Sequence, residues 1–123
     1  MSNIIVVGCG RVGSRLALML SNYENNVCVI DRDPRAFASL GRDFNGATFA
    51  GVGYDEDVLM KAGIDECDFL AAVTQSDNVN LMVVEIARRR SLRDWAIISP
   101  RWAIARSCSL RSISLKRAPT ISR

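Results

Sequence analysis

Short continuous hydrophobic runs punctuate the first two-thirds of the chain. The runs at residues 3–8, 27–31 and 69–74 are apolar at successive positions, which is typical of parallel strands buried on both faces of a sheet. A shorter run lies at residues 47–50. The pattern therefore predicts four strands in this part of the chain.

Segments with helical hydrophobic spacing separate these runs. Val12, Leu16 and Met19 recur at three- and four-residue spacing in the first segment, and Leu81 and Val84 define the predicted buried face of the last. The four segments are residues 11–22, 34–40, 55–62 and 78–90. Strands that alternate with helices in this way are joined by right-handed crossovers. We therefore predict an α/β fold, a Rossmann-like doubly wound parallel sheet in a three-layer αβα single domain.

A glycine-rich turn connects the first predicted strand to the first predicted helix. Residues 8–13, GCGRVG, match the pattern G-x-G-x-x-G. In this pattern Gly8 permits the tight turn, Gly10 lets the main chain approach a pyrophosphate, and Gly13 lets helix and strand pack closely. The helix that begins near Arg11 would direct free N–H groups and the positive end of its dipole toward phosphates. The turn therefore predicts a phosphate-binding site.

A carboxylate ends the second predicted strand. Asp31 lies 18 residues beyond Gly13, close to the roughly 20-residue separation at which such a carboxylate accepts hydrogen bonds from ribose hydroxyls. Its charge disfavours the 2′-phosphate of NADP. The neighbouring Arg32 is either a partner for such a phosphate or a solvated surface residue. Strand, turn, helix and carboxylate together predict that the domain binds NAD or a simple adenine nucleotide.

Four ordered segments resemble the TrkA N-terminal family, the RCK or KTN domains that regulate bacterial potassium transporters and channels. They are GCGRVGSRLALML, VCVIDRDPRAF, ATFAGVGYDEDVLMKAGIDECDFLAAVT and QSDNVNLMVVEIARR, within about residues 3–90. Ordinary dehydrogenases share the glycine loop but not the block VLMKAGIDECDFLAAVT with the following SDNVN. The resemblance implies a domain that binds NAD(H), ATP, ADP or AMP and changes the geometry of a multi-subunit ring without chemistry on the nucleotide.

The resemblance also implies where such a protein acts. It implies a cytoplasmic homo-oligomer, a dimer or a ring of dimers, peripheral to the inner face of the cell membrane. The membrane potassium transporter or channel that it gates by conformational change would be a separate polypeptide, and no nucleic acid is expected as a partner.

Several nucleotide contacts follow from the resemblance. Asp31 would hold the ribose with Arg32 beside it, and Arg11 matches an arginine that reaches a nucleotide phosphate, in some members across a dimer interface. Gly51 and Val52 lie where the family reads G-D-A-T beside the adenine. Because Val52 replaces the acid, a contact there would be through backbone or packing. The residues that would hold phosphate are Gly8, Cys9, Gly10, Arg11, Val12 and Gly13.

A second group of candidate residues follows the fourth predicted strand. Thr74 and Gln75 end that strand at the carboxyl edge of the sheet, where open α/β sheets bind ligands. Asp77 and Asn80 match the family pattern T-x-x-D-x-x-N near the same edge. Asp77 is equally well interpreted as the N-cap of the following helix. We include Thr74, Gln75, Asp77 and Asn80 in the predicted cofactor site.

The last part of the chain departs from the family pattern. Residues 1–94 carry 10 Lys or Arg and 13 Asp or Glu, whereas residues 95–123 carry 6 Lys or Arg and no acid. We predict a nucleotide-binding domain over 1–94 and a divergent basic tail over 95–123, with WAII as a fifth strand followed by irregular or partner-contacting chain. A truncated or out-of-frame gene end would also produce this composition. The family's dimer-forming helix is not matched there.

Composition limits the classes of function. The chain of 123 residues is 49% hydrophobic, has no histidine, and its four cysteines form no CxxC pair. These features argue against a structural zinc site and remove the commonest general base. No run approaches the roughly 18 apolar residues of a membrane span, and the N-terminus lacks the features of a signal peptide, so a cytoplasmic location is expected.

Two other classes of function remain as alternatives. An NAD-dependent oxidoreductase would use this chain as its cofactor-binding part, with Tyr54 and Lys61 as the candidate acid–base groups outside the tail. A nucleic-acid-binding nucleotide or redox sensor would rely on the basic tail alone. The favoured hypothesis is a non-enzymatic regulatory subunit of a potassium transport system.

Overall fold

Six strands form one sheet in the computed structural model, which describes residues 2–90, 94–98 and 104–106. The sheet order is β3-β2-β1-β4-β5-β6. Strands β1 to β5 are parallel, and β6 runs antiparallel to β5. The strands are β1 (Asn3–Val7), β2 (Asn26–Asp31), β3 (Ala47–Ala50), β4 (Phe69–Ala72), β5 (Asp94–Ile98) and β6 (Ile104–Arg106).

Helices cover both faces of this sheet. The α-helices are α1 (Arg11–Ser21), α2 (Glu56–Lys61) and α3 (Asp77–Arg88), and short 3₁₀ helices span Pro34–Leu40 and Ile64–Glu66. On one face Leu16 and Leu20 of α1 pack with Ile4 and Val6 of β1. On the other face α2 and α3 pack against the alternate side chains of the same strands. The predicted doubly wound, three-layer αβα domain is therefore confirmed.

The register of the central strands places three strand ends side by side. Val7, the last residue of β1, pairs with Ile30 of β2 and with Ala72 of β4. The segments that leave β1, β2 and β4 therefore start at the same level of the carboxyl edge. The chain order reverses between β1 and β4, which is the switch point where open α/β sheets bind ligands.

Three local predictions differ from the structure. Residues 34–40 form a 3₁₀ helix, in which main-chain bonds such as Ala36 N–H to the Asp33 carbonyl join residues three apart. Asp77 is the first residue of α3 rather than its N-cap, because the Ser76 hydroxyl accepts from Val79 N–H at 3.2 Å. Val12 and Leu81 are 50% and 52% exposed. The buried stripes instead pass through Gly13, Leu16, Ala17 and Leu20 in α1, and Asn80, Val83, Val84 and Ala87 in α3.

Two strands come from the last part of the chain. The predicted WAII strand is confirmed within β5, which pairs with β4 from Phe69–Asp94 to Ala72–Ile97. The short strand β6 differs from the irregular or partner-contacting chain predicted there. The remainder of the predicted tail, residues 99–103 and 107–123, lies outside the described residues, and the domain division at residue 94 stays a prediction. Within the described ranges no helix is long and apolar enough to cross a membrane.

Candidate functional site

A groove of about 290 Å³ crosses the carboxyl ends of β1, β2 and β4. The glycine loop forms its centre, and the turns after β2, β3 and β4 form its walls. Its lining residues are Val7, Gly8, Cys9, Gly10, Ile30, Asp31, Arg32, Gly51, Val52, Gly53, Tyr54, Val73, Thr74, Gln75, Ser76 and Val79.

The first and third glycines of the loop are required by the packing of the protein itself. Gly8 has φ +109°, and a Cβ there would lie 2.9 Å from the Thr74 nitrogen. A Cβ at Gly13 would overlap the Gly8 carbonyl oxygen and lie 2.8 Å from the Gly8 carbonyl carbon. These contacts fix a tight turn and a close approach of α1 to β1, as the sequence predicts.

Gly10 differs from these two glycines. It is the N-cap residue of α1, with φ −85°, and among the described residues no atom beyond Gly10 and its two chain neighbours lies within 4 Å of the position a Cβ would occupy. Its missing side chain therefore leaves open space in front of the amino end of α1 rather than relieving an internal clash. Free main-chain N–H groups and the positive end of the helix dipole lie at that end of a helix.

Asp31 joins the glycine loop to the chain that follows β2. One carboxylate oxygen accepts from Cys9 N–H at 2.8 Å and the other accepts from Asp33 N–H at 2.8 Å. The side chain lines the groove, and each oxygen has capacity for a further hydrogen bond. Asp31 therefore holds the loop in place and still presents a negative acceptor to the groove.

The turn after β4 is closed by hydrogen bonds between two side chains and the main chain. The Asn80 Oδ1 accepts from Thr74 N–H at 2.9 Å and from the Thr74 hydroxyl at 2.7 Å. The Asn80 Nδ2 donates to the Thr74 carbonyl at 3.2 Å. Asn80 itself is 0% exposed. The turn that lines one wall of the groove is thus tied to the buried side of α3.

The turn after β3 forms the opposite wall. Gly51 N–H donates to the main-chain carbonyl of Asp31 at 2.9 Å, which fastens this turn to the end of β2. Val52 lines the groove in the place of the family's acid, and Tyr54 is 41% exposed beside it. This wall therefore presents an aliphatic and an aromatic side chain.

The structure brings most of the predicted site residues together. Those that line the groove are Gly8, Cys9, Gly10, Asp31, Arg32, Gly51, Val52, Thr74 and Gln75. Five predicted residues do not line it: Arg11, Val12, Gly13, Asp77 and Asn80. Arg11 lines a neighbouring groove with Arg15, Gly13 supports the loop, and Asn80 is buried behind Thr74.

Cys9 contributes to the groove through its main chain. Its thiol is buried and donates to the Ala36 carbonyl at 3.4 Å. Burial, with a smaller effect from the negative charge of Asp31, raises the pKa of the Cys9 thiol to about 11. The thiol is therefore protonated at neutral pH and is a poor nucleophile.

Seven groove residues were not among the predicted site residues: Val7, Ile30, Gly53, Tyr54, Val73, Ser76 and Val79. Tyr54 follows the predicted Gly51–Val52 contact by two positions, so the turn itself was a signal for it. Ser76 and Val79 lie within the T-x-x-D-x-x-N segment, as the N-cap and in the first turn of α3, so their place in the groove depends on how α3 packs on the sheet.

The chain matches the TrkA-N domain over residues 4–108. It is 46% identical over 86 residues to the Trk system potassium uptake protein TrkA of Streptomyces coelicolor, across 70% of this chain and 39% of that relative. It is 38% identical over 84 residues to the protein of the same name from Halomonas elongata, across 68% of this chain and 18% of that relative. The chain thus spans two fifths or less of the length of these two relatives.

Solved structures share the fold at lower identity. The TrkA-N domain of the inner membrane protein ybaL from Escherichia coli superposes with a TM-score of 0.67 at 22% identity, over 80% of this chain and 71% of that one. The Kef CTD of Shewanella denitrificans in its AMP-bound form gives 0.65 at 23%, over 79% and 57%. The Bordetella bronchiseptica enzyme WbmH in complex with NAD+ gives 0.61 at 21%, over 75% and 36%.

The matched region contains the glycine loop, Asp31 and the turn after β4, which are the parts of the chain that build the groove. The residue-by-residue resemblance of the sequence, the Rossmann-like topology and this match therefore agree. The chain belongs to the TrkA-N domain family.

Proposed function

We propose that this chain is the nucleotide-binding domain of a regulatory protein of a potassium uptake system, and that NAD(H) or an adenine nucleotide (ATP, ADP or AMP) binds in the groove. The observation that carries the proposal is the open space over Gly10, at the amino end of α1 and beside the carboxylate of Asp31. Internal packing does not require a glycine there, and this supports a ligand in the open space.

The groove offers a partner for each part of a nucleotide. Phosphates would bind over Gly10 at the amino end of α1, where N–H groups and the helix dipole favour anions. Ribose hydroxyls would donate to Asp31. The base would pack against the wall that carries Val52 and Tyr54. The AMP-bound Kef CTD and the WbmH complex with NAD+ have the same fold and support this class of ligand.

The charge at Asp31 favours NAD over NADP. A 2′-phosphate would bring a second negative charge against a carboxylate that is held in place by two main-chain N–H groups. Arg32 also lines the groove and would offset part of this repulsion. We expect weaker binding of NADP than of NAD, and Asp31 rather than Arg32 determines the order.

The groove favours ligand sensing over catalysis. Its titratable lining side chains among the described residues are Cys9, Asp31, Arg32 and Tyr54. The Cys9 thiol is protonated and buried, and both oxygens of Asp31 hold main-chain N–H groups. This set supports the proposed non-enzymatic role.

The relatives' names point to the partner. The Streptomyces coelicolor and Halomonas elongata relatives are named for Trk potassium uptake. We propose that this chain works as a homo-oligomer at the cytoplasmic face of the membrane, on a membrane potassium transporter or channel subunit. Nucleotide binding would gate that partner if the ligand binds one conformation of the assembly more tightly than the other.

Isothermal titration of the purified chain with NADH, NAD, ATP, ADP and AMP tests the binding step. Wild type should bind at least one of them, and Gly10→Ala should bind at least tenfold more weakly because its methyl group occupies the phosphate position. Gly10→Ala should remain folded, since the weaker N-cap preference of alanine and the lower entropy of its unfolded chain nearly offset each other, within about 1 kcal/mol.

Thr48→Ala, an exposed change on β3, is the matched control and should bind as wild type. Equal affinity of wild type and Gly10→Ala would refute the groove as the nucleotide site. Turnover of a carbonyl substrate with NADH would refute the non-enzymatic role. Nucleotide-dependent co-purification with the membrane subunit from the same cells tests the partner.

A further inference from the structure

We propose that Asn80 is a positioning residue for the nucleotide site, and that it acts through the main chain of Thr74 on the glycine loop. The proposal rests on the proposed function for its ligand but makes a separate statement about how the loop is held. Asn80 is 0% exposed and does not line the groove, so any effect of this residue on binding must pass through its neighbours.

The contacts of the Asn80 side chain are concentrated on one residue. Its Oδ1 accepts from the Thr74 N–H at 2.9 Å and from the Thr74 hydroxyl at 2.7 Å, and its Nδ2 donates to the Thr74 carbonyl at 3.2 Å. Both polar main-chain groups of Thr74 are therefore paired with a single side chain. Because α3 fixes Asn80, this pairing fixes the peptide groups at the end of β4.

The Thr74 hydroxyl is committed to the same turn. It accepts from Ser76 N–H at 3.2 Å while it donates to Asn80, and the Ser76 carbonyl lies 3.1 Å away as a second acceptor. A hydroxyl has one donor hydrogen, and here that hydrogen is used within the turn. The Thr74 hydroxyl therefore has no hydrogen left to donate to a ligand, and Thr74 shapes the groove through the position of its main chain.

The glycine loop lies directly on this turn. The Cβ position at Gly8 is 2.9 Å from the Thr74 nitrogen, 3.0 Å from the Val73 carbonyl carbon and 3.1 Å from the Thr74 Cα. Val73 N–H also donates to the Val7 carbonyl at 2.8 Å, immediately before the loop. A shift of the peptide between Val73 and Thr74 would therefore move the main-chain atoms that Gly8 packs against, and would displace the loop that leads to Gly10.

Other side chains at position 80 would not reproduce these contacts. Leucine has a similar size but no polar atom, so it would leave the Thr74 N–H and carbonyl without their partner and the hydroxyl with the Ser76 carbonyl as its acceptor. Aspartate keeps the acceptor for the Thr74 N–H and hydroxyl, but its second oxygen would face the Thr74 carbonyl in place of a donor, and its charge would be buried. We therefore expect both Asn80→Asp and Asn80→Leu to have lower nucleotide affinity and weaker protection of the loop than wild type.

The experiment compares Asn80→Leu and Asn80→Asp with Val84→Ala. Val84 lies one turn further along the same buried face of α3 and is 4% exposed, so its truncation destabilises the domain without touching the turn. We measure AMP and NAD affinity by titration, and hydrogen exchange of the Gly8, Cys9 and Gly10 amides without nucleotide, in variants whose melting temperatures are known.

Asn80→Leu should bind nucleotide at least tenfold more weakly and exchange the loop amides at least tenfold faster, while Val84→Ala binds as wild type despite a comparable loss of stability. If Asn80→Leu fails to fold, Asn80→Ala, which adds neither bulk nor charge, gives the same test with the same expected direction. Equal effects of the Asn80 variants and Val84→Ala would overturn the positioning role. If wild type binds no nucleotide, the proposed function fails, and loop exchange alone decides the role of Asn80.

Discussion

The close approach of α1 to β1 makes Gly13→Ala the most informative stability variant. The added methyl group would overlap the Gly8 carbonyl oxygen and lie 2.8 Å from the Gly8 carbonyl carbon and 3.0 Å from Val73 Cγ2. The first two obstacles are main-chain atoms, which cannot rotate out of the way. The helix must therefore move away from the strand, and with it the core residues Leu16 and Leu20.

The magnitude follows from two opposing effects. Replacing a glycine inside a helix with alanine stabilises the helix by about 1 kcal/mol. Overpacking a well-packed site costs about 1–3 kcal/mol and occasionally more, and a clash with main chain places Gly13→Ala at or above the upper end of that range. The expected net loss is about 2 kcal/mol. At an unfolding entropy of about 2.1 cal/mol/K per residue, that loss lowers the melting temperature of a chain of 123 residues by about 8 °C.

Urea and thermal denaturation followed by circular dichroism measure this loss. Gly10→Ala is the matched control, since it adds the same methyl group three residues earlier, where no described atom beyond the adjoining residues lies within 4 Å. Its unfolding free energy should stay within about 1 kcal/mol of wild type. A Gly13→Ala protein as stable as Gly10→Ala would refute the reasoning, because the close helix–strand contact would then carry no energetic weight.

Three further predictions concern other parts of the chain. Burial raises the pKa of the Cys67 thiol to about 12, so the folded state keeps a proton that the unfolded chain loses above about pH 8.5. The free energy of unfolding should therefore fall from pH 8 toward pH 10, and the urea midpoint of Cys67→Ala should fall less over that range than the midpoint of wild type. Arg90 pairs with both carboxylate oxygens of Asp65 at 3.0 Å and with Glu56 at 2.9 Å, so Arg90→Ala should lower the urea midpoint at low salt and lower it less in 1 M NaCl. An equal loss at both salt concentrations would contradict an electrostatic role. Asp31→Asn keeps one acceptor oxygen for two main-chain N–H groups, so it should lose about 1–2 kcal/mol of unfolding free energy as well as nucleotide affinity. A variant that loses affinity alone would show that Asp31 does not hold the loop.

The parts of the site that the sequence predicts are those that are encoded locally. Gly8, Gly10 and Gly13 lie within six residues, and together they form the tight turn that joins a strand directly to a helix. Asp31 ends an uninterrupted hydrophobic run, so its place at the carboxyl edge follows once that run is identified as a strand. Local pattern and spacing are sufficient for these residues.

The parts that the sequence does not predict depend on contacts between distant segments. Asn80 belongs to a recognisable pattern, but its burial behind Thr74 follows from how α3 packs on the sheet. Strand β6 has three residues and exists through its pairing with β5, which no periodicity over so short a segment can reveal. Leu81 lies one position from the buried stripe of α3, a rotation that hydrophobic spacing alone does not resolve.

The central claim is that a nucleotide binds over the glycine loop, and a titration followed by ¹H–¹⁵N correlation NMR tests it most directly. Addition of AMP or NAD to the isotope-labelled chain should shift the amide signals of Gly10, Gly51 and Gln75, which surround the groove. The signals of amides at the opposite edge of the sheet, such as that of Glu66, should not shift. Saturable shifts around the groove are the predicted result. Shifts confined to other surfaces, or none with any nucleotide, would contradict the account.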